Sequence, residues 1–134
     1  MHRLSQRRYA GRATFHCAAV GDEPAQLGGE GFDFVVAKSL FHHLSDADAH
    51  RVVAAARRLL RPGGVFVSSD NVFYDGQPFV SRAMIALDRG GSVRTPEGYR
   101  RLVDPHFADV ETRLVTDMLA IPYAHFVMRA RAPR

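Results

Sequence analysis

Two short apolar runs flank an amphipathic stretch in the middle of the chain. Phe32-Asp33-Phe34-Val35-Val36-Ala37 is nearly continuous in apolar side chains, which predicts a strand buried on both faces. Val52, Val53, Ala56, Leu59 and Leu60 then recur at helical spacing and form one apolar stripe. Ser45 stands ahead of that stripe as an N-cap, with Asp48 three residues on, so that Asp occupies the capping-box position usually held by Glu. Pro62-Gly63-Gly64 stops the helix, because proline cannot continue the hydrogen-bond ladder and glycine accepts a left-handed turn. Val65 to Asp70 follows as a second buried strand. Strand, helix and strand in close succession predict a parallel pair joined by a right-handed crossover.

The flanking segments carry weaker patterns. Arg3 to Tyr9 reads as the end of a helix stopped by Ala10-Gly11, and Ala13 to Val20 as a strand closed by Gly21-Asp22-Glu23-Pro24. Gln26 to Gly31 is a glycine-rich loop too irregular to cradle a phosphate. Downstream, Asp75-Gly76-Gln77-Pro78 predicts a turn, and Phe79 to Leu87 a helix with Val80, Met84 and Leu87 facing inward. Thr95-Pro96 opens a further helix through about Val103, which Pro105 ends. Val110 to Val115 and His125 to Arg131 alternate, as antiparallel strands near a sheet edge do.

Composition narrows the classes. A chain of 134 residues, 46% hydrophobic and 24% charged, is a single α/β domain with one core and is not disordered. Its lone cysteine, Cys17, excludes an internal disulfide and a thiolate zinc cluster, and reads as a small buried hydrophobe. No apolar run reaches the roughly 20 residues of a membrane-spanning helix, and no apolar stretch follows the charged start. A cytoplasmic setting is expected, with no membrane partner. The formal charge of +4 raises the question of nucleic acid. Of the 18 basic residues only Lys38 is lysine, and the arginines are scattered without long runs or interleaved aromatics. No nucleic-acid partner is therefore expected.

Three segments together resemble a known family. They are Phe32 to Leu44, with its Phe-Asp start and His42-His43-Leu44 end, then Leu59-Leu60-Arg61-Pro62-Gly63-Gly64-Val65-Phe66-Val67, and the closing pair of alternating strands. In this order the chain is similar to class I S-adenosylmethionine-dependent methyltransferases, over their fourth strand, fifth strand and terminal hairpin. Ala13 to Val20 then stands as the third strand. The resemblance implies a truncated Rossmann-like methyltransferase fold, with a mainly parallel sheet and a C-terminal antiparallel strand pair, and residues 1–134 as one partial methyltransferase domain. The family's first strand, its glycine-rich loop and the acidic end of its second strand have no counterpart among the residues ahead of Ala13. Family strands lie in the order three, two, one, four, five, seven, six. Without one and two, either Thr14–Ala18 slides beside Phe34–Ala37, or the open edge pairs with another chain to give a homodimer.

Ligands of open α/β sheets bind at the carboxyl ends of the strands. The resemblance gives the cofactor, S-adenosyl-L-methionine, to Ala18, Ala19, Lys38, Ser39, Leu40 and His43; Lys38 to Leu40 could equally be a plain strand-to-helix turn. Two adjacent histidines diverge by about 100° on a helix and cannot face one point. The expected arrangement has His43 under the pocket rim and His42 in solvent, although either imidazole could serve as a base. Asp70, Asn71, Tyr74 and Arg82 are the candidates for a small-molecule methyl acceptor. The alternative for Asp70 is a turn residue holding main-chain N–H groups, and Phe73, Tyr74 and Tyr123 have the core as theirs. His16 and His125, on strands, should be satisfied by neighbouring backbone. No metal site and no dedicated catalytic residue are expected, since methyl displacement from a sulfonium depends chiefly on proximity and alignment. The expected activity is methyl transfer to a small molecule; the alternative is a non-catalytic remnant acting as a dimerising module.

Overall fold

A computed structural model describes residues 7–9, 11–16, 31–87, 91–118 and 121–133. Its regular elements are β1 (Phe32–Lys38), a 3-10 turn (Phe41–His43), α1 (Asp46–Leu59), β2 (Leu60–Asn71), α2 (Phe79–Ala86), α3 (Pro96–Val103), β3 (Asp109–Val115) and β4 (His125–Arg131). The strands form one sheet in the order β1-β2-β4-β3. β1 and β2 run parallel, while β4 is antiparallel to both β2 and β3. That is the family order four, five, seven, six. Among the described strands the sheet is mixed, with one parallel pair and two antiparallel ones.

α1 starts where its cap predicts. The Ser45 Oγ accepts the Asp48 main-chain N–H at 3.2 Å and donates to Asp48 Oδ2 at 2.8 Å. The expected stripe faces inward, with Val52, Val53 and Ala56 buried. The helix ends at Leu59 and β2 begins at once, so Pro62-Gly63-Gly64 lies inside the strand. There it makes a bulge: Phe32 pairs with Leu60, but Phe34 pairs with Val65. Gly63 takes φ 75°, and a Cβ on Gly64 would sit 2.8 Å from the Phe32 carbonyl oxygen. Glycine is required here by close backbone approach.

The core lies on one face of the sheet. Val35 pairs across to Phe66 and Phe66 to Ala130, while Ala37 leads to Ser68 and Met128, all pointing to the same side. Phe66 stacks on Phe107 at 5.8 Å and meets Phe41 edge-on at 6.3 Å. Val53 of α1 and Tyr99, Leu102 and Val103 of α3 complete this layer.

Three expectations change. β1 is not buried on both faces, because Phe34 and Val36 are each 66% exposed and only Ala37 is fully buried. Among the described residues no helix covers that second face. α2 turns a different side inward: Ser81 and Ile85 are buried, while Val80 is exposed and Leu87 is 85% exposed. Gln77 Nε2 donates to Ser81 Oγ at 2.9 Å and fixes this rotation. The upstream strand is also different. Thr14, Phe15 and His16 are not in a strand, and β1 pairs only with β2 among the described residues. The sliding of Thr14–Ala18 alongside β1 is therefore not seen at Thr14–His16, and His16 is exposed, away from any strand. Cys17, Ala18 and Ala19 lie outside the described residues.

Candidate functional site

The carboxyl ends of β1 and β2 lie side by side, with Lys38 opposite Ser69. The Ser39 N–H donates to the Ser69 carbonyl at 2.8 Å, and at that point the chain leaves the sheet. Ser39 does so at φ 51°, the single positive φ found at a non-glycine among the described residues. Such conformations persist only where the surroundings enforce them, and they cluster at binding sites. Lys38 and Ser39 are exposed and Leu40 is half-buried at this strand end.

The 3-10 turn that follows reverses the expected roles of the histidines. His42 is 3% exposed, whereas His43 faces solvent. The tighter winding of this short turn puts the first histidine beneath the sheet end. His42 Nδ1 lies 2.8 Å from Asp70 Oδ1, and the His42 main-chain N–H donates to the same oxygen at 3.1 Å. The His43 ring tilts over His42 with centroids 3.9 Å apart. Asp70 is itself 2% exposed, and its second oxygen, Oδ2, is buried without a hydrogen-bond partner. This carboxylate thus holds a main-chain N–H and an imidazole together beneath the crevice floor.

Arg94 locks the same turn from the other side, and nothing in the sequence singled it out. Its Nη1 donates to the Phe41 carbonyl at 2.7 Å and the Ser92 carbonyl at 2.9 Å. Its Nη2 donates to the Leu44 carbonyl at 2.8 Å and, with Nε, grips Asp46 Oδ1 at 2.6 and 2.9 Å. Its carbonyl accepts the Phe73 N–H at 3.1 Å. A single nearly buried guanidinium therefore ties the turn after β1 to the segment after β2. Its partners in that turn and in Asp46 lie about 50 residues away in sequence, so no local spacing could reveal it.

The acceptor candidates separate into two groups. Asn71 is buried, and its Nδ2 donates to the Tyr123 hydroxyl at 2.8 Å while its carbonyl accepts the Tyr99 hydroxyl at 2.7 Å. Burial, and then the Asp70 charge, push the Tyr99 hydroxyl well above the usual phenol range, so it stays a proton donor. Asp70 and Asn71 belong to the floor. Tyr74 and Arg82 instead line a hollow of about 290 Å³, together with Phe73, Asp75 and the start of α3 at Thr95 to Glu97. The Arg82 guanidinium sits 5.2 Å from the Phe73 ring centroid. His125, beside the floor, is held below the ordinary histidine range by burial, against the pull of a Tyr123 main-chain hydrogen bond. Backbone does not satisfy both its nitrogens: Nδ1 is buried without a partner.

At the opposite end of the sheet another hollow, of about 390 Å³, is lined by Arg61, Arg129 and Arg131. Each of these is paired with a carboxylate, Asp33, Glu111 and Asp109 respectively. Among the described residues no group of three or more His, Cys, Asp or Glu could hold a metal ion, and no helix is long and apolar enough to cross a membrane.

Comparison with known proteins agrees with this geometry. Residues 2–66 match the family described as a methyltransferase domain. An uncharacterized methyltransferase of Bacillus cytotoxicus is 34% identical over 58 residues, which cover 43% of this chain and 27% of that one. The S-adenosylmethionine-dependent methyltransferase SibL superposes with a TM-score of 0.74 at 16% identity, over 98% of this chain and 40% of its own. An O-methyltransferase family protein from Burkholderia thailandensis gives 0.67 at 18% identity, over 98% and 40%. The chain thus spans about a quarter of the curated relatives it matches and two-fifths of these solved structures.

Proposed function

We propose that this chain belongs to the class I S-adenosylmethionine-dependent methyltransferases and forms the acceptor side of a methyl-transfer site and one wall of the cofactor site. The observation that carries this reading is the adjacency Arg94 creates. Through the Phe41 and Leu44 carbonyls Arg94 ties the turn that follows Lys38 and Ser39 to the segment that leads into the hollow beside Phe73, and its own carbonyl accepts the Phe73 N–H. Cofactor and small-molecule acceptor would thus meet across a short gap.

The residues present fit part of the cofactor. Ser39 stands exposed in a left-handed conformation at the end of β1, and His43 is exposed four residues on. Lys38, Ser39, Leu40 and His43 would hold S-adenosylmethionine on this side. Among the described residues no strand pairs with β1 on the side away from β2, so none of them offers a glycine-rich cradle or an acidic strand end for the opposite wall. When bound, the cofactor supplies an electrophilic methyl group on a sulfonium. The work of the chain is to fix the acceptor in line with it and to exclude water, which is where most of the rate of such a displacement originates. The His42–Asp70 pair and Arg94 serve that end by fixing the turn.

Calorimetric titration of S-adenosylhomocysteine into the folded chain tests this reading. A micromolar dissociation constant supports it, and the absence of heat from a folded sample rejects it. One observation favours a second reading, a module that associates through β1: the alternate exposed apolar residues Phe34 and Val36 on a strand that stands at the sheet edge among the described residues. It calls for a homodimer in sedimentation whether or not S-adenosylhomocysteine is present.

A further inference from the structure

The hollow beside Phe73 brings together three charged side chains that do not pair. Several arginines elsewhere find carboxylates, among them Arg51 with Asp48, Arg61 with Asp33, Arg94 with Asp46, Arg100 with Asp104 and Arg129 with Glu111. Around the hollow, the side chains of Arg82, Asp75 and Glu97 make no hydrogen bond or ion pair with one another or with any other described residue. Arg82 is instead oriented by the Phe73 ring, 5.2 Å from its guanidinium carbon, a contact that leaves all of its N–H donors free. Two carboxylates and one guanidinium thus face a space walled by Phe73 and Tyr74. At about 290 Å³ it lies at the small end of ligand pockets.

We infer that this hollow takes a small aromatic molecule carrying both charges, with a carboxylate or similar planar oxyanion on Arg82 and a protonated amine against Asp75 and Glu97. Arginine offers a fork that matches a carboxylate in two parallel hydrogen bonds, and its position over Phe73 pre-orients that fork. An anion alone would face two like charges, and a cation alone would leave Arg82 unanswered. A molecule with both ends satisfies all three groups, while its ring packs against Phe73 and Tyr74. The inference rests on reading this hollow as the acceptor side, and it names the acceptor's chemical class.

Three probes with one ring separate the terms: L-tyrosine, tyramine, which lacks the carboxylate, and 3-(4-hydroxyphenyl)propionate, which lacks the amine. Heteronuclear NMR titrations of the full chain, read at the Phe73 and Tyr74 amides, give each dissociation constant. L-Tyrosine should bind about tenfold more tightly than either relative. Arg82→Gln should erase its advantage over tyramine and leave the advantage over the propionate. Asp75→Asn with Glu97→Gln should do the reverse. All three side chains are exposed, so the variants keep the fold, which the same spectra verify. No saturable shift with L-tyrosine, or a preference that survives these substitutions, overturns the inference. The titration needs no cofactor: failure of S-adenosylhomocysteine alone would remove the methyl-transfer reading and leave the ligand class standing, and the converse result would do the opposite.

Discussion

Asp70 shows how one side chain can define a site it does not line. Its carboxylate accepts both the main-chain N–H and the ring nitrogen of His42 while nearly sealed from water. Removing it would leave two buried donors with no acceptor. Asp70→Ala should therefore destabilise the fold by about 3 kcal/mol in urea denaturation, and Asp70→Asn by less, because the amide oxygen can still accept. Equal stability of all three proteins would show that the pair contributes nothing. The sequence placed Asp70 at a strand end as a possible holder of N–H groups, and that much was local. Which histidine it holds was not legible, since a helix and a 3-10 turn direct adjacent residues differently. Two other histidines set a pH dependence. His106 is held below its ordinary value of 6.5 by burial and then by the charge of His50, whose ring lies 5.8 Å away. His125 is lowered mainly by burial. As the unfolded chain takes up protons first, stability should be full above about pH 6.5 and fall as pH drops toward the folded-state values. His106→Gln should flatten part of that slope in denaturation midpoints measured between pH 5 and 8.

At the scale of elements, α1 was legible because its signals are local: a cap, a stripe and a break. Ser45→Ala should cost about 1 kcal/mol, seen as an earlier thermal transition by circular dichroism. The start of β2 was not legible, because Pro62-Gly63-Gly64 is held in the strand by pairing with Phe32 as a bulge, and that pairing is made across the crossover. α2 was found but rotated. Over barely two turns, the stripe of Val80, Met84 and Leu87 and the stripe of Ser81 and Ile85 compete, and the Gln77 contact to Ser81 decides between them. Arg94 acts between elements. Four of its five hydrogen bonds join the segment before α3 to the turn before α1 and to the first residue of α1, and the fifth holds Ser92 in its own segment. Arg94→Ala should lower stability by about 3 kcal/mol, and it should speed amide exchange at Leu44 and Phe73 more than in β4. Uniform acceleration throughout the chain would mean that the residue is an ordinary stabiliser and not a tie between these two segments.

At the scale of the whole molecule, strand order came from family likeness alone, because which strand lies beside which is set by pairings remote in sequence. That likeness carried the order of the four described strands, but the burial expected of a central strand failed at β1. The strand is long in apolar residues because one of its faces is core, with Val35 and Ala37 toward the helices. Its other face, Phe34 and Val36, continues the same run into open solvent. Exposed side chains on an edge strand invite a second copy to extend the sheet. In an antiparallel pair centred on Val35, Phe34 of one copy would stand opposite Val36 of the other on the same face, so the apolar stripe is self-complementary. Phe34→Lys with Val36→Lys should abolish concentration-dependent association in light scattering. The fold should lose less than about 0.5 kcal/mol, because neither side chain is buried in the single chain. An apparent mass that stays at one chain for the wild type would remove the association reading, and would mean that this face is tolerated in water as it stands.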